Sequence, residues 1–98
     1  MTRTPAIATV QIDNDRVRVT EWRFAPGTET GWHVHPVDYV VVPMTTGELV
    51  LETGDGVATN ELTAGVSYTR VAGSEHNVVN AADTEFVFVE IELKPAGL

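Results

Sequence analysis

Turn-forming residues interrupt this chain about every ten positions, and that rhythm constrains its fold more than any other feature. The interruptions are Asp13-Asn14-Asp15, Pro26-Gly27, Pro36, Thr46-Gly47, Gly54-Asp55-Gly56, Ala64-Gly65, Ala72-Gly73 and Ala82-Asp83. Residues of these types bend a backbone through a preset or positive φ, or through side-chain bonds to nearby amides. Between them lie short runs rich in Val, Ile, Thr, Tyr and Phe, whose branched or flat side chains suit a pleated surface. No window of helical length carries an apolar period of three to four. The pattern predicts an all-β sandwich or barrel with strands over 7–12, 16–24, 31–35, 38–43, 47–53, 57–62, 67–71, 76–80 and 85–93. A length of 98 residues suits one domain, 1–98, with no linker or repeat.

Three strands say something about faces. Leu49 and Leu51 alternate with Glu48, Val50 and Glu52. In 85–93, Val87, Val89, Ile91 and Leu93 share one face, while the other runs from Phe86 and Phe88 to Glu90 and Glu92. Such a strand is expected to be covered on both sides over its first half only. In 16–24 the apolar parity moves from Val17 and Val19 to Trp22 and Phe24, which a bulge near Thr20 or Glu21 would explain.

Charge and cysteine usage exclude several functions. Fourteen acidic residues against six basic ones give a net charge of −8, which phosphate backbones and anionic membranes repel. Nucleic-acid and membrane partners are therefore not expected. The absence of cysteine removes disulfides, thiolate metal sites and cysteine nucleophiles. Met1 to Val10 lack the apolar stretch of a secretion signal, so a cytoplasmic location is expected.

The three histidines sit at telling places. His33 and His35 are two apart in a strand-like segment, so both imidazoles point to one face, ~7 Å apart along the backbone. His76 follows the turn Ala72-Gly73-Ser74-Glu75 and opens another strand. A third nitrogen from there would complete a facial set of ligands, and imidazole suits Fe, Ni, Cu and Zn. A histidine is more often a solvated or hydrogen-bonded surface group, and His-x-His also arises by chance.

The residues around the histidines carry a resemblance. Pro26-Gly27, five residues, His33-Val34-His35 and a closing Gly47 read like the first motif of the cupins. Gly65, Gly73, His76 and Asn80 read like the second, with Val71 where that motif has proline. The spacer Glu48 to Ala64 is one short hairpin, as in compact bacterial members. The chain thus resembles small single-domain bacterial cupins over roughly residues 16–93, with motif 1 at about 27–47 and motif 2 at about 65–80. In length and motif wording it is similar to short cupins linked to β-alanine degradation.

That resemblance implies a double-stranded β-helix, a jelly-roll barrel, holding one divalent metal ion. His33, His35 and His76 match the family's histidine ligands, with iron the first candidate and nickel, manganese, zinc and copper also compatible. The family's glutamate ligand falls at Tyr39, which is a departure. Strand parity puts His33, His35 and Tyr39 on one face and Asp38 on the other, although a bend at Pro36 could bring Asp38 inward. A phenol has a pKa of ~10 and replaces a carboxylate poorly. A three-histidine ion with open positions favours a small anionic metabolite. Arg70, pointing inward, would clamp its carboxylate; pointing outward, it would be a solvated charge. Tyr39 and Arg70 are the candidate catalytic residues, with Tyr68 on the same wall. Asn80 and the glycines 27, 47, 65 and 73 read as structural, the glycines needing unusual backbone angles.

Two functional classes follow. One is a metal-dependent enzyme, an oxidoreductase of dioxygenase type or a Lewis-acid isomerase or decarboxylase. The other is a non-catalytic metal or metabolite binder, a sensor or accessory protein in amino-acid or amine catabolism. A homodimer is expected from the small size, the strand edges and the apolar Trp22, Phe24 and Trp32.

Overall fold

Nine strands and no helix make up the described part of the chain, residues 3–95 of a computed structural model. They are β1 (Ile7–Asp13), β2 (Val17–Phe24), β3 (His33–Val34), β4 (Tyr39–Pro43), β5 (Gly47–Thr53), β6 (Gly56–Leu62), β7 (Tyr68–Arg70), β8 (Glu75–Val79) and β9 (Phe86–Leu93). Each turn signal in the sequence falls at a junction of two of them, with Asp13, Gly47 and Gly56 themselves the end residues of strands. The strands form a five-stranded sheet, β1-β2-β9-β4-β7, and a four-stranded sheet, β3-β8-β5-β6, with antiparallel pairing throughout the named strands. This is the jelly-roll of the all-β expectation.

The core lies between the sheets. Phe24, Tyr39, Val41, Phe86 and Phe88 enter from the larger sheet, and Leu49, Leu62 and Val78 from the smaller. Phe24 and Phe88 pack with centroids 5.4 Å apart. Leu49 and Leu51 both point inward, as the alternation of β5 predicts. Asn80 is fully buried after β8, where its Nδ2 donates to Phe24 O at 3.0 Å and Thr84 O at 2.9 Å. It ties the β8–β9 turn to the end of β2.

Three expectations need correction. No bulge interrupts β2, which pairs with β9 without a break from Val17 to Phe24; the irregularity lies in β1, between Val10 and Ile12. Thr20, Trp22 and Phe24 share the inward face, so the apparent change of parity was two faces read as one. In β9 the inward face is Phe86, Phe88 and Glu90, so the barrel interior contains a carboxylate that the strand pattern had placed beyond the covered half. Finally, Gly27, Gly65 and Gly73 adopt φ of 81°, 80° and 90°, but Gly47 has no positive φ. A Cβ there would meet the Phe86 ring at 3.4 Å, an ordinary contact, so neither backbone nor packing demands glycine at this position.

Candidate metal centre

Strand pairing brings the histidines together. In the antiparallel β3–β8 pair, His33 lies directly opposite His76. His35 follows β3, and its backbone is held by the β8 turn: its N–H donates to Ser74 O at 2.9 Å, and Gly73 N–H donates to its carbonyl at 2.8 Å. The His33 and His35 Nε2 atoms are 2.9 Å apart, and those of His35 and His76 are 3.3 Å apart. All three offer a nitrogen within 4.8 Å of the others.

The surroundings prepare these nitrogens as ligands. His33 Nδ1 lies 2.8 Å from Gly31 O, so it carries the proton and leaves Nε2 as a bare lone pair. Burial lowers His35 to a pKa of about 4, with His33, His76 and Arg70 adding to the effect. Burial also takes His76 to about 4, aided by His33 and Arg70. Neutral imidazole is the form a metal requires. Imidazole nitrogens this close share either a proton or a cation between them. Nitrogens on one ion at bonds of ~2.0–2.1 Å sit about 2.9–3.4 Å apart, the spacing of the His33–His35 and His35–His76 pairs. The donor set therefore fits a divalent ion.

Polar groups fix the loop before His33. Asn77 Oδ1 accepts from Gly31 N–H at 2.9 Å, and its Nδ2 donates to Glu29 and Glu52, each at 2.8 Å. Arg3 joins the same two carboxylates at 2.9 and 3.0 Å. Glu29 thus supports the loop from the barrel's outside.

The larger sheet supplies the facing wall. Tyr39 takes the inward position and is 1% exposed, while Asp38 is exposed and accepts a hydrogen bond from Ala72 N–H at 2.7 Å. The Tyr39 ring lies flat on His35, centroids 3.8 Å apart. Its hydroxyl is buried without a hydrogen-bond partner among the described residues, and burial pushes its pKa up to about 12. Arg70, opposite Tyr39 in the β4–β7 pair, lines the interior with its guanidinium over the Tyr68 ring. The inward alternative for Arg70 is the one observed. The enclosed space is about 20 Å³, room for roughly one water-sized body. An open basin of about 250 Å³ adjoins it, reaching His33, His35 and Glu90 between Val10, Arg18 and Val34.

Glu90 is the residue that sequence reasoning missed. It is only 8% exposed, and its Oε1 lies 3.8 Å from His35 Nε2. Burial raises its pKa to about 7, with the Glu92 charge adding and Trp22 and Arg18 opposing. The available signal was the carboxylate that ends the Phe86, Phe88 face. Trp22 also lines the interior, whereas Trp32 is 52% exposed and donates from Nε1 to Glu75 at 2.7 Å.

Comparison with known proteins agrees with this geometry. The cupin domain family matches residues 20–92. The β-alanine degradation protein BauB of Pseudomonas aeruginosa is 60% identical over 92 residues, covering 94% of this chain and 97% of BauB. A crystal structure of a cupin domain from Bordetella pertussis Tohama I superposes with a TM-score of 0.95 at 70% identity, covering 97% of this chain and 99% of that one. A double-stranded β-helix protein from Klebsiella pneumoniae gives a TM-score of 0.75 at 27% identity, covering 95% of this chain and 81% of its own. With both motifs in place, a jelly-roll frame and a buried three-histidine cluster, the chain belongs to the cupin family.

Proposed function

We propose that this cupin binds one divalent metal ion through His33, His35 and His76 and acts there on a small anionic metabolite. The observation that carries this reading is the convergence of three imidazoles, with His35 Nε2 at 2.9 Å from that of His33 and 3.3 Å from that of His76, and with Arg70 on the facing wall. A bound ion would supply Lewis acidity and, if it is iron, a route for electrons to oxygen. That chemistry is of dioxygenase type, or of isomerase and decarboxylase type with a redox-silent ion. Arg70 holds the substrate carboxylate, since a guanidinium presents a planar fork to it. The Tyr39 hydroxyl, with no partner of its own, donates to substrate or water. The similarity to BauB supports a substrate from amino-acid or amine catabolism.

A second reading is a non-catalytic metal-binding accessory protein. The small enclosed space favours it, because a metabolite would have to bind from the outer basin. Elemental analysis of protein purified without added metal, followed by oxygen uptake with small thiol carboxylates and β-dicarbonyls, separates the two. Turnover that disappears in Arg70→Ala supports the enzyme. A bound ion with no turnover in any arm supports the accessory role.

We also propose a homodimer. The outward face of the larger sheet carries Val17, Val19, Val40, Val42, Val89 and Ile91, with Ile12 and Leu93 48% and 43% exposed beside them. An apolar face of that breadth is unusual on a monomer. Phe24 belongs to the core and has no part in it.

A further inference from the structure

We propose that Glu90 is the fourth protein ligand of the metal centre, supplied from β9 in place of the carboxylate that the cupin pattern puts at position 39. This rests on the three-histidine reading above. It begins with register: in the β4–β9 pair, Tyr39 faces Glu92 and Val41 faces Glu90. Glu92 therefore lies directly across from position 39 and Glu90 diagonally, both with inward parity, and Glu90 is the buried one of the two. A carboxylate there reaches the same space from a different backbone.

The two residues beside the second histidine are otherwise engaged. The Tyr39 ring is stacked on the face of His35, and the Asp38 carboxylate holds the Ala72 amide outside the barrel. Glu90, by contrast, is more than nine-tenths buried. Among the described residues, the one ion-pair approach to its carboxylate is His35 Nε2 at 3.8 Å. Arg70 lines the same interior without pairing to it. A buried carboxylate is costly to keep unless a cation or donors compensate it.

The distance to His35 supports the assignment. Donors sharing one ion at ~2.0–2.1 Å are separated by about 2.9 Å when adjacent and about 4.2 Å when opposite. The 3.8 Å approach to His35 falls between these limits, while Glu90 stands outside the 4.8 Å cluster of the three nitrogens, so ligation requires its side chain to turn toward His33 and His76. The histidines come from the β3–β8 side and Glu90 from the larger sheet, so the ion would join the two sheets of the barrel.

The test is a competition titration of metal-free protein with Co(II) and Zn(II) against a chromophoric chelator, together with the visible spectrum of the Co(II) form. Glu90→Gln removes the ligand at nearly constant shape. Glu92→Gln removes the same charge two residues along β9. Glu90→Gln is expected to bind at least about tenfold more weakly than Glu92→Gln and to shift the Co(II) bands. Affinity within twofold of Glu92→Gln, with unchanged bands, would overturn the assignment. Glu90→Asp, which withdraws the carboxylate by one methylene, carries the same test if Glu90→Gln does not fold: weakened binding with altered bands supports ligation, and wild-type values contradict it. Wild-type protein that binds neither metal would overturn the three-histidine reading itself, a result distinct from failure of the Glu90 arm alone.

Discussion

Tyr39 occupies the position where the cupin pattern has a ligand, yet its surroundings are those of a core aromatic with one unsatisfied atom. The ring is 1% exposed and stacked on His35, and the hydroxyl has no partner among the described residues. An unpaired buried hydroxyl costs about 1–3 kcal/mol. Tyr39→Phe should therefore leave stability unchanged or raise it by about 1 kcal/mol in urea unfolding, with metal content intact. Loss of turnover in that variant would assign the hydroxyl to substrate or water; a clear loss of stability would show that the oxygen is bonded after all. The histidines make a pH prediction for metal-free protein. His35 and His76 stand at about 4 in the folded state against an ordinary 6.5, so the unfolded chain binds more protons between those values. Their contribution to stability is present above about 6.5 and is lost as pH falls towards 4. Glu90, raised to about 7, acts oppositely: its folded form holds the extra proton between its ordinary 4.5 and 7, which costs stability as pH rises through that window. Two groups outweigh one, so the melting temperature of chelator-treated protein should fall on the order of 10 °C from pH 6.5 to 4.5. A flat profile would mean that the imidazoles are not buried neutral.

At the scale of the strands, the site depends on how turns hold their neighbours. Asn80 is the clearest case, with its amide nitrogen bonded to Phe24 O and Thr84 O and its oxygen accepting from Ala82 N–H at 3.1 Å. Asn80→Ala leaves the buried Phe24 carbonyl without its donor and unties the exposed Thr84 turn, and should cost about 1–3 kcal/mol in urea unfolding. A loss below about 0.5 kcal/mol would show that water replaces the amide. The nine strands were legible in the sequence because turn chemistry and branched residues mark them locally. The convergence of His33, His35 and His76 was legible for a related reason, since period-two parity and motif spacing both concern neighbours along the chain. What stayed hidden depends on which of two apolar faces turns inward. The β9 strand shows valines on one side and Phe86 and Phe88 on the other, and only the partner strands decide between them. Glu90 was missed for that reason, and a bulge was expected in β2 instead of β1. The orientation of Arg70 was likewise fixed by pairing with Tyr39, a contact between residues far apart in sequence.

For the whole molecule, the two sheets present different demands. Their facing sides enclose the histidines and the aromatic core, while the outer side of the larger sheet remains apolar and uncovered. Light scattering should report about twice the mass of the 98-residue chain at micromolar concentration. Ile91→Lys, on the outward face of β9, should shift the protein to monomer without altering metal content, whereas a monomeric wild type would leave that face without a partner copy. Metal binding should also stabilise the fold, by about 4 kcal/mol at a thousandfold excess over Kd. The most direct measurement is metal content by elemental analysis of protein expressed without added metal, for the wild type and the double variant His33→Ala with His76→Ala. One divalent ion per wild-type chain and none in the folded double variant is the expected result; full metal content in the double variant would contradict the three-histidine centre.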